Sequence, residues 1–201
     1  MWEWKNMPTA QLNPEWDIQL NEPLFPSADE KLYVLFEPTL WSDWEGTLSE
    51  GESAQLFSHT RFAALGNGPI LAEVVSKQTL ESVKSHLEVT PSGSLFFAPS
   101  SIDMASLAES LRRRLVVQHG KTQAMMRFYE PRKLVSLIGS MTTHQRQQFF
   151  PSLTRVQWFD RDWLDASWHM PEQSTPSIWD LTPSQTQLMN LISAHWQGVN
   201  A

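Results

Sequence analysis

Met125 to Leu153 reads MMRFYEPRKLVSLIGSMTTHQRQQFFPSL, a strand running into two short helices. Met126 and Phe128 fall on one face of the strand, and Arg127 and Tyr129 on the other, because side chains alternate along an extended chain. Glu130 can cap a helix whose first residue is Pro131, where a missing N–H removes only a donor without a helical partner. Leu134, Leu137, Ile138 and Met141 recur at helical spacing and give that helix one buried face. Thr142 and Gln145 have the spacing of a capping box for a second helix that closes at Phe149-Phe150-Pro151. On this reading Arg127 lies within a sheet, where a guanidinium needs a carboxylate or carbonyl partner. It serves either as a structural ion pair that fixes the hairpin or as a contact to a partner. Arg132, on the first helical turn, faces outward and is available to a partner.

Upstream, Val116–Gln118 and Lys121–Tyr129 pair as a hairpin across His119-Gly120, a two-residue turn whose second position favours glycine. Asp103 caps a helix with Met104, Leu107, Ala108, Leu111 and Leu115 on one stripe. Arg112, Arg113 and Arg114 fall in its last turn, where cations suit the helix dipole. Ser94–Pro99 reads as a strand. Leu80, Val83 and Leu87 mark a helix stopped by Thr90-Pro91. Ile70–Val75 reads as a strand after the Asn67-Gly68-Pro69 turn. Leu32–Phe36 is apolar on both faces, as a central covered strand must be. A polar stretch then runs to Gln55 and leads to a helix ending near Leu65-Gly66. Downstream, Thr154–Phe159 is a closing strand and residues 160–180 are irregular. Thr182, Pro183 and Gln185 open a last helix with Leu188, Leu191, Ile192 and Trp196 on its apolar side.

Strands alternating with helices, plus a hairpin, predict an α/β (α+β) fold, a mixed β-sheet covered by helices with a mainly helical C-terminal lobe. Residues 1–30 form an extended, acidic, Trp/Pro-rich segment laid over the surface. Residues 31–130 form an α/β lobe, and residues 131–201 the mainly helical one.

At 201 residues the chain can bury a substantial core, and 41% hydrophobic against 18% charged content argues against global disorder. No apolar run reaches the length of a membrane span, and the first residues lack a basic-then-apolar signal pattern. The absence of cysteine removes disulfides, thiolate metal sites and cysteine nucleophiles together. A soluble cytoplasmic protein is expected. The net charge is −7 and unevenly spread. Residues 1–56 carry eleven acids against Lys5 and Lys31, while residues 103–133 carry seven basic residues against Asp103, Glu109 and Glu130. An acidic chain with one modest basic patch makes a poor nucleic-acid binder, since neutralising phosphates needs a broader field. The asymmetry suits a protein partner, or an internal docking of the acidic front on the basic middle.

Candidates for chemistry are few. His59, His86, His119, His144, His169 and His195 lack the spacing of a zinc helix motif. No G-x-S-x-G elbow is present, and Gly66-Asn67-Gly68-Pro69 is a turn whose proline removes an amide donor from any phosphate cradle. Asp160 and Asp162 read as solvated loop charges. No catalytic residue, metal site or cofactor is expected. The ten tryptophans carry more signal: five precede residue 45, five follow residue 157, and the 113 residues between have none. They anchor a core where the termini pack together, or they grip an apolar partner segment. Trp163, Trp168 and Trp179, set between polar turns, are read with Arg132 as a partner-binding aromatic rim.

The Arg127-Phe128-Tyr129-Glu130-Pro131-Arg132 corner, with its leucine-rich helix and Phe-Phe-Pro close, resembles the effector adaptor/chaperone family of bacterial type VI secretion. Leu32–Phe36 stands where that family has its first strand. Leu56-Phe57, Leu65-Gly66 and Gly68-Pro69-Ile70-Leu71 are similar to its following pattern, and Ser94–Phe97 to the strand before its arginine-bearing helix. The likeness runs from about Leu32 to Val156. The family often has His-Leu-Arg where this chain has Ser110-Leu111-Arg112, so no role for that histidine carries over. The resemblance implies a non-enzymatic cytoplasmic adaptor that binds an effector toxin and loads it onto the VgrG spike, without nucleic acid, membrane or cofactor. The part after Pro131 would supply much of the effector-binding surface. The alternative is a small-ligand-binding or enzymatic α/β domain with an unrecognised site.

Overall fold

The computed structural model of the protein describes residues 13, 15–170 and 178–198; the expected course of residues 1–12 lies outside them. Strand β1 (Gln19–Leu20) is followed by β2 (Glu30–Phe36), in which Leu32 to Phe36 are all buried. Burial on both faces puts β2 in the middle of a sheet, as its sequence predicts. After a short helix α1 (Trp44–Thr47) come β3 (Ser53–Gln55) and β4 (Ile70–Glu73), then helix α2 (Lys77–Val89) and β5 (Gly93–Pro99). Helix α3 (Met104–Arg112) leads to the hairpin of β6 (Val116–His119) and β7 (Thr122–Met125), whose turn holds Gly120 at a φ of 59°. Helices α4 (Pro131–Gly139) and α5 (Thr143–Phe149) precede β8 (Arg155–Asp160) and β9 (Asp162–Ser167). Strand β10 (Trp179–Asp180) and helix α6 (Pro183–Gly198) close the described chain. The fold is α+β.

The main sheet has the order β1-β9-β8-β5-β2-β4-β3 and is antiparallel at every step. In the second sheet β6 pairs antiparallel with β7 and parallel with β10. The period of two sorts the main sheet's side chains into two cores. On one face Leu32, Val34, Phe36, Leu95 and Phe97 meet Leu80, Val83 and Leu87 of α2. On the other, Tyr33, Leu35, Phe96, Val156 and Trp158 meet Leu107, Leu111, Leu134, Leu137 and Ile192 of α3, α4 and α6. Helices α4, α5 and α6 dominate the chain after Pro131, yet β8 and β9 from that part lie beside β5. Residues on both sides of Pro131 therefore build one sheet.

Two of the helix starts carry the caps read from the sequence. Asp103 Oδ1 accepts from Ser106 N at 2.7 Å, and Thr142 and Gln145 form the reciprocal capping box. Arg114 does more than face a dipole. It is buried, and its guanidinium donates to Phe149 O at 2.6 Å and Gln148 O at 3.2 Å, the last carbonyls of α5. Burial pulls its pKa down to about 10, which leaves it charged at neutral pH.

The acidic front is tied down rather than free. Asn13 Nδ2 donates to Gly139 O at 2.8 Å, and Trp16 lies so close to Gly139 that any side chain there would collide with the indole. Asp17 pairs with Arg146, Asn21 Nδ2 donates to Asp165 Oδ2 at 2.7 Å, and Glu22 meets Lys84 at 3.1 Å. Part of the charge asymmetry is thus spent inside the molecule.

Three local expectations are corrected. The stretch after residue 160 is irregular only in part, because Asp162–Ser167 is a strand with Trp163 and Leu164 buried on opposite faces. The helix expected to end at Leu65-Gly66 is a single 3-10 turn, Ala63–Leu65. Strand β7 stops at Met125, so Arg127 is not within a sheet; Glu130 N donates to Arg127 O and closes a turn.

Candidate functional site

Three segments converge at one end of the main sheet. Glu37 to Leu40 leave β2, Thr90 to Ser92 enter β5, and the Arg127–Arg132 corner crosses beside them. Glu37 N donates to Ser92 O at 2.9 Å, which extends the β2–β5 pairing past the strand ends and holds the first two together. The corner is held from below by Phe128. Its fully buried ring lies 5.7 Å from that of Phe150, 6.3 Å from Phe149 and 6.5 Å from Phe96. Tyr129 is also buried, against Phe57, and its hydroxyl accepts from Arg127 Nε at 3.3 Å. Burial raises the Tyr129 pKa, partly opposed by that arginine.

Above these anchors the corner is open. Arg127 pairs with Glu130 at 2.6 Å, and its side chain is 54% exposed. The hydrogen bond to Tyr129 raises its pKa further, so it is always charged. The Glu130 side chain makes no cap to α4, contrary to the role its position suggested, because Arg127 holds the carboxylate. An exposed pair of this kind contributes little, so Arg127→Ala should lower stability by no more than about 1 kcal/mol. The urea midpoint reads this directly, and a loss several times larger would show that the pair is structural.

The three segments enclose a cleft of about 600 Å³, with Leu40 and Pro91 on one wall and Tyr129, Pro131 and Arg132 on the other. A second cleft, of about 390 Å³, lies across Arg132 and is lined by Val135, Asp160, Arg161, Ser193, Trp196 and Gln197. Asp160 accepts from Trp196 Nε1. Arg161 takes a positive φ of 72° in the tight turn between β8 and β9.

Of the residues read as partner-binding, only Arg132 is brought to these clefts. Trp163, Trp168 and Trp179 are 3%, 6% and 6% exposed, so they form no rim. Trp163 Nε1 donates to Glu88 at 2.7 Å, Trp168 stacks on Phe150 at 5.9 Å, and Trp179 meets the Phe149 ring edge-on at 5.5 Å. The formation of β9 and β10 draws all three into the core. Glu37, Leu40 and Pro91 were missed by sequence reasoning. The exposed Leu40, in a Pro-Thr-Leu run after a central strand, is the signal that could have marked them.

Among the described residues no group of three histidines or acids could hold a metal ion, and no helix is long and apolar enough to cross a membrane. Behind the first cleft His86 Nε2 lies 3.1 Å from Ser92 Oγ. The imidazole is stacked flat on Trp41, 4.1 Å between centroids, and burial lowers its pKa. The nearby Asp43 carboxylate partly opposes that shift. The arrangement offers an open surface of apolar walls and paired charges, which suits binding.

A family model described as a domain of unknown function (DUF4123) matches residues 32–148, more than half of the chain. The chain belongs to the DUF4123 family. That family is associated with type VI secretion effector loading. No curated protein and no solved structure matches the chain. Every residue lining the first cleft falls inside the DUF4123 match, whereas Asp160, Arg161, Ser193, Trp196 and Gln197 of the second lie beyond it.

Proposed function

We propose that this DUF4123 protein is a non-enzymatic cytoplasmic adaptor that holds a type VI secretion effector and loads it onto the VgrG spike. The observation that carries the reading is the fate of the family corner. Its aromatic residues, Phe128 and Tyr129, anchor it in the core, while Arg127 and Arg132 line a solvent-open cleft made wholly of family-matched residues. Two arginines of the corner and the exposed Leu40 thus stand around one cleft where a partner can reach them. The second cleft supplies residues from outside the match, where adaptors for different effectors can diverge. On this reading the part after Pro131 contributes to the partner surface through Arg132, Asp160 and Arg161 rather than through the buried Trp163, Trp168 and Trp179.

Co-expression with the type VI effector encoded nearest to its gene tests this. The two chains should leave a size-exclusion column as one stable complex, and adding VgrG should give a ternary species. A chain that elutes alone, and whose melting temperature rises with a small metabolite, would support a ligand-binding domain instead.

A further inference from the structure

Arg132 lines both clefts. The other charged groups of the lining are committed. Arg127 is matched by Glu130 at 2.6 Å, Glu37 accepts from Thr39 Oγ1 at 3.3 Å, Asp160 accepts from Trp196, and Arg161 is engaged. Among the described residues Arg132 makes no ion pair and no hydrogen bond, and it is exposed. It also sits in the first turn of α4, whose amides receive no side-chain cap, so the helix end adds positive potential at the same place. The first cleft that it lines also has an exposed apolar side: Leu40 is 54% exposed and Pro91 is exposed.

We infer that the two clefts form one trough for an extended segment of a protein partner, which sets an aliphatic or aromatic side chain against Leu40 and Pro91 and a carboxylate on Arg132. The inference rests on the adaptor reading and adds to it the chemistry of the bound segment. A guanidinium left without a partner at the centre of a binding surface is met best by a carboxylate, which can accept two parallel hydrogen bonds. Apolar side chains supply affinity by leaving water, and the charge fixes register along the trough. Two open clefts that share Arg132 in their linings suit a chain passing across both better than a small molecule, which needs enclosure.

The full-length protein should be panned against a phage-displayed library of random 12-residue peptides, and enriched peptides measured by fluorescence anisotropy. Enriched sequences should place Asp or Glu within a few residues of a large apolar side chain. Arg132→Glu and Leu40→Asp should each weaken these peptides tenfold or more. Replacing the peptide's acid by Lys should restore binding to Arg132→Glu. Both substitutions are on the surface, and unchanged melting temperatures would show that the fold is intact. Enrichment of peptides without acids, or unchanged affinity in Arg132→Glu, would overturn the inference. So would self-association of the wild-type chain that Arg132→Glu abolishes, since the trough would then belong to a second copy. If the Leu40→Asp/Arg132→Glu double variant still co-purifies with the effector at wild-type yield, the trough is refuted while the adaptor reading stands. If the wild-type chain captures no effector, both fall.

Discussion

Phe128→Ala is expected to cost about 3–5 kcal/mol of folding stability, the range for removing a fully buried phenylalanine ring. Its ring is fully buried and meets Phe96, Tyr129, Phe149 and Phe150, so deletion opens a cavity where the main sheet, the corner and α5 come together. Set against the roughly 5–15 kcal/mol that stabilises an ordinary domain, that is a large share. Phe128→Leu keeps most of the volume and should lose well under half as much. The contrast with the adjacent Arg127→Ala is the informative part: one residue along the same motif, the expected cost falls to about 1 kcal/mol or less. Urea midpoints for the three variants check this, and equal losses at both positions would contradict the division of the motif into an anchor and an exposed face.

Arg146→Ala should be comparably damaging, at about 3–5 kcal/mol, because it empties the volume of a large fully buried side chain and strands the carbonyl that side chain satisfies. The Arg146 side chain has no exposure; it donates Nε to Ile138 O at 3.0 Å and reaches Asp17 in the N-terminal segment. Its loss leaves the Ile138 carbonyl without that donor and releases the segment that brings Trp16 onto Gly139. Asp17→Asn leaves the fully buried guanidinium without its carboxylate, so it should also cost stability, although the amide oxygen can still accept from it. Arg146→Met is the sharper control. Nη2 is buried without a hydrogen-bond partner, so an apolar chain of similar length should recover much of the stability. Limited proteolysis near residues 13–20 should increase in Arg146→Ala, and an unchanged pattern would show that the pair does not hold the segment.

Much of this fold was legible because local signals agreed with the tertiary outcome. The doubly apolar Leu32–Phe36 run is the strand between β4 and β5, and Asp103, Pro131 and Thr142 start helices where their chemistry predicts. The failures have physical causes. Strand β9 carries Asp162 and Asp165, and a buried aspartate breaks the alternation by which strands are recognised; Asn21 and Arg155 make its burial tolerable, and neither is near it in sequence. The preceding turn is made by Arg161 at positive φ, a position where glycine or asparagine would have announced it. Arg127 was misplaced because Met125 to Tyr129 alternates like a strand, although the chain turns after Met126, whose N–H already bonds to Leu115 O. The cleft was only half visible. Arg132 could be placed on an exposed helical turn from sequence alone, but Glu37, Leu40 and Pro91 join it only through the antiparallel pairing of β2 with β5.

On the proposed adaptor function, an effector is held on the surface formed by the Arg127–Arg132 corner. Hydrogen exchange of the full chain, alone and in complex with the effector, tests it most directly. The prediction is slowed exchange at Glu37–Leu40, Ser92 and Arg127–Lys133, with smaller changes at Asp160–Asp162. Protection confined to the outer strands Ser53–Gln55 or Thr122–Met125, with the corner exchanging as in the free chain, would contradict it.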